Sequence, residues 1–289
     1  MHFVQSKSIL SSTNGMNIYR GCSHGCIYCD SRSKCYNMNH DFEDIEVKEN
    51  SLKLLKQALL NKKQKSMVGM GSMSDPYVPI ESKLQYTREA IKLVSRYNFG
   101  FTLITKSDLV LRDLDLFEEL NNKSKAVLQM TLTTYDDNLC KILEPNVAPT
   151  SKRVKVLKEF DKKNIPTVVW LSPILPFIND TEENIEGIID YCIKCNVKGI
   201  ICFGMGLTLR EGNREYFYSK LDENFPNLKN KYIKMFGDSY GLPSPNRVKL
   251  MKLFKYKTEE YGIMNNPEVI FEYLHKYPNN NNSTQTTLF

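Results

Sequence analysis

The chain has 289 residues, of which 41% are hydrophobic and 11% aromatic, which is enough apolar material for a sizeable core and excludes a wholly disordered chain. Its net charge of +6 is mildly basic, which falls short of a histone-like composition but is compatible with a polyanionic partner. No stretch approaches the roughly 18 apolar residues that cross a bilayer, and the first fifteen residues lack the apolar segment of a signal peptide.

Short apolar runs alternate with longer amphipathic runs over most of the chain. The predicted strands lie near 17–19 and over 66–70, 99–105, 126–132, 166–171 and 199–203. The predicted helices lie near 51–61 and over 83–97, 111–120, 151–163 and 182–195. Six β/α units of this kind imply an α/β fold with a parallel sheet and right-handed crossovers. Periodicity alone is compatible with an open barrel and with a doubly wound sheet.

The β/α alternation stops at about residue 226. Residues 229–257 contain eight Lys or Arg and one acidic residue, interleaved with aromatic residues. This pattern is typical of phosphate contact with base stacking, and also of packed helices with a solvated basic side. We expect a core over 1–225, a basic and mostly helical extension over 226–277, and a flexible polar tail over 278–289.

Three cysteines within eight residues form the sharpest motif, in the loop 21–30. They are Cys22, Cys26 and Cys29. Without an export signal we expect them to be reduced, in a cytoplasmic protein, and thiols so close can converge on one soft metal centre. Zinc would need a fourth ligand, such as His24 or Cys35. A [4Fe-4S] cluster held by three cysteines would keep one iron open to an exogenous ligand.

A Cys-x3-Cys-x2-Cys loop at the start of a six-fold β/α repeat resembles the radical S-adenosylmethionine (SAM) superfamily. Residues from about 15 to 225 are similar, more narrowly, to the branch of spore photoproduct lyase and the DNA repair photolyase-related proteins. The supporting motifs are Tyr19-Arg-Gly-Cys22, Ser74-Asp-Pro-Tyr77, Thr105-Lys-Ser107, Leu143-Glu-Pro145 followed by Arg153, and Ser172-Pro173. The resemblance implies a partial, open six-stranded parallel (β/α)6 barrel with a mostly helical C-terminal extension.

The same resemblance implies a [4Fe-4S] cluster on the three cysteines and SAM as the ligand of the open iron. In such enzymes the reduced cluster donates an electron to the sulfonium of SAM, and a 5′-deoxyadenosyl radical abstracts hydrogen from the substrate. The implied substrate is a nucleic-acid lesion or base, DNA or RNA, and the implied reaction is lyase-like. A low-potential electron donor such as flavodoxin or ferredoxin is the implied partner.

Three of the implied SAM contacts precede the third strand. Tyr28 would lie against the adenine ring, with core packing as the alternative. Ser74 and Asp75 follow the second strand, where a parallel sheet presents its ligands, and resemble the family's clamp on the methionyl ammonium group. An Asp-Pro pair by itself is also typical of a simple turn.

The remaining implied SAM contacts come from the third and fourth units. Lys106 ends the third strand and matches a lysine that contacts SAM in spore photoproduct lyase. Thr131 matches a hydroxyl residue that bonds the ribose or the carboxylate, and Thr133 is the alternative if the strand faces the other way. Arg153 would pair with the methionyl carboxylate, or else form a solvated charge or a bond to Glu144.

The chain departs from spore photoproduct lyase at Ser72, where the lyase carries a cysteine that donates a hydrogen atom. An alcohol O–H bond is much stronger than a thiol S–H bond, so Ser72 cannot replace that donor. We therefore predict that the chain is not a spore photoproduct lyase in the strict sense. Cys192, Cys195 and Cys202 could hold an auxiliary cluster or zinc, but buried structural thiols are the better interpretation.

Two further functions compete with nucleic-acid chemistry. The same cluster could act on RNA, a peptide or a small molecule, because no motif identifies the residues that select the substrate. A zinc-bound nucleic-acid-binding module without catalysis is the other alternative. Separately, residues Gln285 to Phe289 resemble the short peptide that docks into the bacterial sliding clamp, unless Leu288 and Phe289 fold back onto the domain.

Overall fold

The computed structural model describes residues 1–278. The strands are β1 (His2–Val4), β2 (Gly15–Met16), β3 (Tyr19–Arg20), β4 (Glu46–Lys48), β5 (Met67–Met70), β6 (Gly100–Thr105), β7 (Ala126–Thr131), β8 (Thr167–Trp170), β9 (Gly199–Ile201), β10 (Gly206–Thr208) and β11 (Gly241–Pro243). The helices are α1 (Ser51–Asn61), α2 (Glu81–Leu84), α3 (Tyr86–Arg96), α4 (Leu114–Lys123), α5 (Asp137–Leu143), α6 (Thr150–Lys162), α7 (Glu182–Lys194), α8 (Asn213–Asn224), α9 (Leu228–Phe236), α10 (Arg247–Glu260) and α11 (Pro267–His275).

Two expectations from the sequence concern membranes and the end of the chain. None of the helices in residues 1–278 combines the length and the apolar character that a membrane crossing requires. The clamp-binding motif predicted at Gln285–Phe289, like the predicted tail from residue 279 onward, lies outside the described residues.

A six-stranded, all-parallel sheet forms the centre of the fold, which confirms the predicted α/β architecture. Its strand order, β2-β5-β6-β7-β8-β9, follows the order of the chain. A doubly wound sheet would reverse direction at a switch point, so the unidirectional order identifies an open barrel. All six residues of β7 are buried, as expected for a strand covered on both faces.

The first strand of the sheet differs from the prediction near 17–19. The sheet uses β2, in which Gly15 and Met16 pair with Gly69 and Met70 of β5. The chain then leaves the sheet, since the carbonyl of Ile18 accepts a hydrogen bond from the Lys48 amide, 3.0 Å away. From there β3 joins a separate three-stranded sheet in the order β1-β4-β3. An apolar run of three residues does not show which partner strand it will find.

Two predicted helices also differ in their bounds from the apolar pattern. The helix predicted over 83–97 is divided into α2 and α3 at Gln85, which has a positive φ of 56°. The buried carboxylate of Glu81 accepts a hydrogen bond from the Thr87 amide at the start of α3, 3.1 Å away. The helix predicted over 111–120 begins only at Leu114, after a 3-10 helix over Asp108–Asp113.

The C-terminal region is helical, as predicted, and it covers the outer edge of the sheet. Helix α10 packs against α7, and α11 packs against β9. Between them, the Met264 carbonyl accepts a hydrogen bond from the Ile200 amide at 2.8 Å, which satisfies part of the free edge of β9. Strands β10 and β11 form an antiparallel pair that joins residues before and after α8 and α9.

Candidate cofactor site

A cavity of about 300 Å³ lies at the carboxyl ends of the barrel strands. Most of the residues predicted to bind the cluster or SAM line it. They are Cys22, Cys26, Tyr28, Cys29, Ser74, Asp75, Lys106 and Thr131. Parallel strands present their ends on one side of the sheet, so residues that follow β5, β6 and β7 converge there although they are far apart in sequence.

The cysteine loop is held against two other segments of backbone. The amide of Cys22 donates to the Phe42 carbonyl at 2.8 Å, and the amide of Ile27 donates to the Leu143 carbonyl at 3.0 Å. Gly21 has a φ of +83°, and a side chain there would lie 2.6 Å from the Phe42 carbonyl oxygen. Glycine is therefore required at position 21 to bring the first thiol to the cavity.

The spacing of the three thiols separates the two metal alternatives. A tetrahedral zinc ion, with Zn–S bonds of about 2.3 Å, holds its sulfur ligands roughly 3.8 Å apart. In residues 1–278, the three ligating side chains whose donor atoms all lie within 4.8 Å of one another are His2, His40 and Asp44, and the three thiols form no such group. The wider arrangement around an open cavity fits a larger iron–sulfur cluster and disfavours zinc.

The charge around the thiols also favours a bound metal centre. Burial, and then the Asp75 carboxylate, raise the pKa of the Cys22 thiol to about 12. Burial likewise raises the pKa of Cys26 well above its usual value, against the opposing effect of Lys106. Cys26 is buried and Cys22 and Cys29 are partly buried, so their thiolate forms need positive charge beside them, and a metal centre provides it.

Asp75 connects the cysteine loop to the ends of two strands. One oxygen accepts hydrogen bonds from the Tyr77 amide at 2.8 Å and the Thr105 hydroxyl at 2.7 Å. The other accepts from the Lys106 amide at 2.8 Å and lies 3.5 Å from the buried His24 ring. These contacts fix the carboxylate at the cavity wall.

Ser74 and Ser72 lie beside it. The Ser74 hydroxyl donates to the Gly21 carbonyl at 2.5 Å and so holds the start of the cysteine loop. Ser72 also lines the cavity, at 3.5 Å from the Asn17 side-chain amide. Ser72 therefore faces the same cavity as the predicted contacts of SAM.

A buried charged group supports Tyr28 from behind. The Tyr28 hydroxyl donates to Glu144, which is fully buried and forms an ion pair with the equally buried Arg153. Burial by itself would raise the pKa of the Glu144 carboxyl, but Arg153 and Lys106 bring it below its usual value. The Lys106 ammonium lies 5.9 Å from the centre of the Tyr28 ring.

Arg153 is the predicted site residue that the structure does not bring to the cavity. Its guanidinium donates to the Thr131 carbonyl at 3.0 Å and the Ala148 carbonyl at 2.7 Å, in addition to its ion pair with Glu144. The expected contact with the methionyl carboxylate is replaced by the alternative bond to Glu144. The guanidinium lies against the end of β7 and not in the cavity. The periodicity of a helix does not show which of its charged residues will be buried, so the sequence could not predict this.

β7 ends at Thr131, so Thr133 lies beyond the strand, and this separates the two predicted threonines. Thr131 lines the cavity, whereas the Thr133 hydroxyl points away from it and donates to Glu144 at 3.2 Å. Two residues contribute more to the site than the sequence indicates. His24, considered above only as a fourth ligand for zinc, is buried beside Asp75, and nothing in the local sequence predicts this contact. Glu144 was noted only as part of a motif and as an alternative partner of Arg153.

The other cysteines lie away from the cavity. Cys192 and Cys195 are buried in the main core, and Cys202 lies 4.0 Å from the sulfur of Met251. Burial raises the pKa of both Cys195 and Cys202 to about 11. In the described part of the chain these thiols do not form a compact ligand group, in agreement with a structural role. Cys35 is exposed and lies 3.2 Å from the Arg210 guanidinium.

An open parallel barrel with three thiols at its carboxyl end defines a protein of the radical SAM type. The Radical SAM superfamily model matches residues 16–192, so the chain belongs to that superfamily. Members of this family are enzymes that use a [4Fe-4S] cluster and SAM, and the predicted cofactors are confirmed at that level.

Relatives with sequence similarity have no described activity. The uncharacterized protein MJ0683 of Methanocaldococcus jannaschii is 36% identical over 169 residues, which are 58% of this chain and 62% of that protein. The chain therefore spans less than two thirds of that relative's length. The uncharacterized protein Rv2578c of Mycobacterium tuberculosis is 25% identical over 238 residues, which are 80% of this chain and 69% of that protein.

Structures of spore photoproduct lyase share the fold. A variant with dinucleoside spore photoproduct matches with a TM-score of 0.64 and 13% identity, over 91% of this chain and 80% of that chain. A second variant, with AdoMet and the same dinucleoside bound, matches with a TM-score of 0.60 and 11% identity, over 86% and 74%. At these identities the likeness concerns the fold.

Proposed function

We propose that the chain is a radical SAM enzyme that abstracts hydrogen from a nucleic-acid base or lesion. Cys22, Cys26 and Cys29 would hold the [4Fe-4S] cluster. When bound, the cluster and SAM together supply a 5′-deoxyadenosyl radical as the hydrogen-abstracting species. A low-potential flavodoxin or ferredoxin is the proposed electron donor.

The polar residues of the cavity are proposed to orient SAM. Asp75 would accept the methionyl ammonium group, helped by Ser74, and the Lys106 ammonium would face the carboxylate. Tyr28 would lie against the adenine ring, and Thr131 would bond the ribose. The hydrogen bonds that already fix Asp75 at the wall support this proposal, because a carboxylate held in place loses little entropy on binding.

Arg153 is proposed to act as a positioning residue and not as a contact of SAM. It neutralises Glu144, and Glu144 holds the hydroxyl of Tyr28. The aromatic ring is thereby fixed at the edge of the cavity by a buried network.

The observation that carries the substrate proposal is a second cavity that lies beside the first. It has a volume of about 510 Å³ and shares Ser172, Pro173, Leu207 and Thr208 with the cofactor cavity. Its wall includes Phe203, which is 62% exposed, and Tyr240, which is 53% exposed. Exposed aromatic rings of this kind provide stacking surfaces for bases.

Positive charge accompanies these rings. Arg247 lines the second cavity, and the Arg210 guanidinium donates to the Tyr240 hydroxyl at 3.0 Å. Tyr232 and Phe254 of the basic segment are buried in the core, so only part of its aromatic pattern is available for stacking. The combination of guanidinium groups and exposed rings suits a phosphate-bearing base better than an apolar peptide.

Ser72 lies on the same wall and carries no thiol. We therefore propose that the substrate radical is quenched by a group other than residue 72. This separates the proposed reaction from that of spore photoproduct lyase, while hydrogen abstraction from a base is shared.

The test is anaerobic reconstitution with iron, sulfide, SAM and dithionite, followed by product analysis on ultraviolet-irradiated DNA, undamaged DNA and RNA. We expect that, when one of these polymers is the substrate, a modified nucleoside and 5′-deoxyadenosine are both formed. Tyr240→Ala should raise the KM for that polymer about tenfold, since one stacking contact contributes about 1–3 kcal/mol.

Tyr261→Ala is the matched control, because Tyr261 is similarly exposed and lies outside both cavities. Its KM should equal that of the parent chain. Formation of 5′-deoxyadenosine without modification of any polymer would retain the enzyme class and overturn the substrate. A protein that binds these polymers without ever cleaving SAM would overturn the enzyme class as well.

A further inference from the structure

A second group of metal-ligating side chains lies in the small sheet, apart from the cofactor cavity. His2 is on β1 and is paired directly with Glu46 on β4. His40 and Asp44 lie in the segment that leads into β4. This group combines two imidazoles with two carboxylates, which come from the neighbouring strands β1 and β4 and from the loop before β4.

The donor atoms of three of these residues are close together. One ligand atom each of His2, His40 and Asp44 lies within 4.8 Å of the other two. The Nδ1 atom of His2 is 2.9 Å from Asp44 Oδ2, and the Nε2 atom of His40 is 3.6 Å from Glu46 Oε2. The two imidazole rings meet edge to face, with 4.8 Å between their centres.

The bonding of His40 identifies which nitrogen is free. Its Nδ1 is 3.0 Å from the Asp41 carbonyl oxygen, which can only accept a hydrogen bond, so Nδ1 carries the proton. In the neutral ring Nε2 then carries a lone pair. This atom is buried without a hydrogen-bond partner and faces the Glu46 carboxylate, which also has only lone pairs to offer.

The His40 Nε2 lone pair and the Glu46 carboxylate face each other in partly buried surroundings, and a cation between them would satisfy both. Histidine ligands of metal ions regularly donate their second ring N–H to a backbone carbonyl, which is the arrangement of His40. The Oδ1 atom of Asp44 forms an ion pair with the amino group of Met1, and its Oδ2 atom faces His2. Two imidazoles with carboxylates suit a divalent transition metal, zinc foremost.

We propose that His2, His40 and Asp44, with Glu46 beside them, bind a zinc-class divalent metal ion that is distinct from the cluster. The ion would join β1 to the segment between the cysteine loop and β4. That segment includes Phe42, whose carbonyl holds the Cys22 amide. The metal would thereby stabilise the backbone that carries the first thiol.

The first experiment measures zinc and iron in the reconstituted holoenzyme, with an untagged amino end, after dialysis against zinc and then against metal-free buffer. We expect about one zinc per chain in addition to the cluster iron. His40→Ala should lose the zinc and keep the iron. His275→Ala is the matched control, since His275 lies on α11, outside the small sheet and the loop that leads into β4. The zinc content of this variant should equal that of the parent.

A second measurement removes the thiols as competing ligands. In the triple variant Cys22→Ala, Cys26→Ala and Cys29→Ala, zinc affinity is measured by competition with a coloured chelator. His2→Ala or His40→Ala in that background should weaken zinc binding at least tenfold, because changes even behind the ligands of a metal cost about 10–100-fold. Equal zinc affinity with and without the two histidines, or zinc-free holoenzyme, would overturn the proposal and leave His40 as a protonated partner of Glu46.

Discussion

At the scale of single residues, Glu144 links the barrel to the cofactor cavity. It is the common partner of Tyr28, Thr133 and Arg153, and it is fully buried. A buried ion pair contributes little relative to an apolar pair, but it becomes costly when one partner is removed. We therefore propose that this group fixes the position of Tyr28.

Arg153→Met should destabilise the protein strongly because it leaves the Glu144 carboxylate buried without its counter-charge. We expect a loss of about 3–5 kcal/mol in the free energy of unfolding. The double variant Glu144→Gln with Arg153→Met should recover a large part of that loss, since no unpaired charge stays buried. Urea unfolding of the cluster-free protein provides the measurement.

An exposed ion pair of the same helix serves as the control. Lys162 pairs with Glu159 three residues earlier on α6, at 2.8 Å and in contact with solvent. Lys162→Met should change the free energy of unfolding by no more than about 0.5 kcal/mol. An Arg153→Met variant as stable as Lys162→Met would contradict the interpretation of the buried group.

At the scale of elements, α10 and the chain after it complete the barrel. Leu250, Phe254 and Ile263 belong to the same buried cluster as the strands and α7. The region predicted as a separate extension over 226–277 thus shares its core with the barrel, although the boundary at residue 225 stays a prediction. The edge of β9 is covered by backbone from this region.

Phe254→Ala should lower the free energy of unfolding by about 3–5 kcal/mol, because the ring is fully buried and its removal leaves a cavity. Thermal and urea unfolding of the whole chain measure the effect. Tyr256→Ala, two residues later on the same helix and 64% exposed, should stay within about 0.5 kcal/mol of the parent chain. Similar losses in both variants would show that α10 is not held through its buried side.

At the scale of the whole molecule, one end of the barrel carries the three thiols proposed as cluster ligands, and Cys192, Cys195 and Cys202 belong to the apolar core. Cys192 is fully buried in the apolar cluster between α7 and the sheet, and burial raises the pKa of its thiol. A buried thiol of this kind behaves as a small apolar side chain. We therefore predict a single cluster per chain.

Alanine at Cys22, Cys26 or Cys29 should abolish cluster retention and the cleavage of SAM, since each thiol is a ligand that no neighbour replaces. Cys192→Ala should retain both. Iron content per chain and 5′-deoxyadenosine formation, measured without oxygen, check the two outcomes. Loss of iron in Cys192→Ala equal to that in the three loop variants would contradict a single cluster.

Much of the fold could be predicted from the sequence. The alternation of apolar runs placed five of the six barrel strands, and the helix predicted near 51–61 matches α1. These elements depend on local periodicity, which the sequence carries directly. The spacing of the three cysteines likewise indicated a soft metal centre, and the family resemblance indicated the cofactors.

The tertiary structure decided what local patterns do not contain. β7 ends at Thr131, which lines the cavity, whereas Thr133 lies beyond the strand and bonds to Glu144, and the packing of α6 turns Arg153 toward Glu144. The wide arrangement of the thiols and the contact of His2 with Asp44 depend on residues that meet only after the strands have paired. Sequence periodicity fixes which face of an element is apolar, whereas register and packing between distant elements fix which polar groups meet.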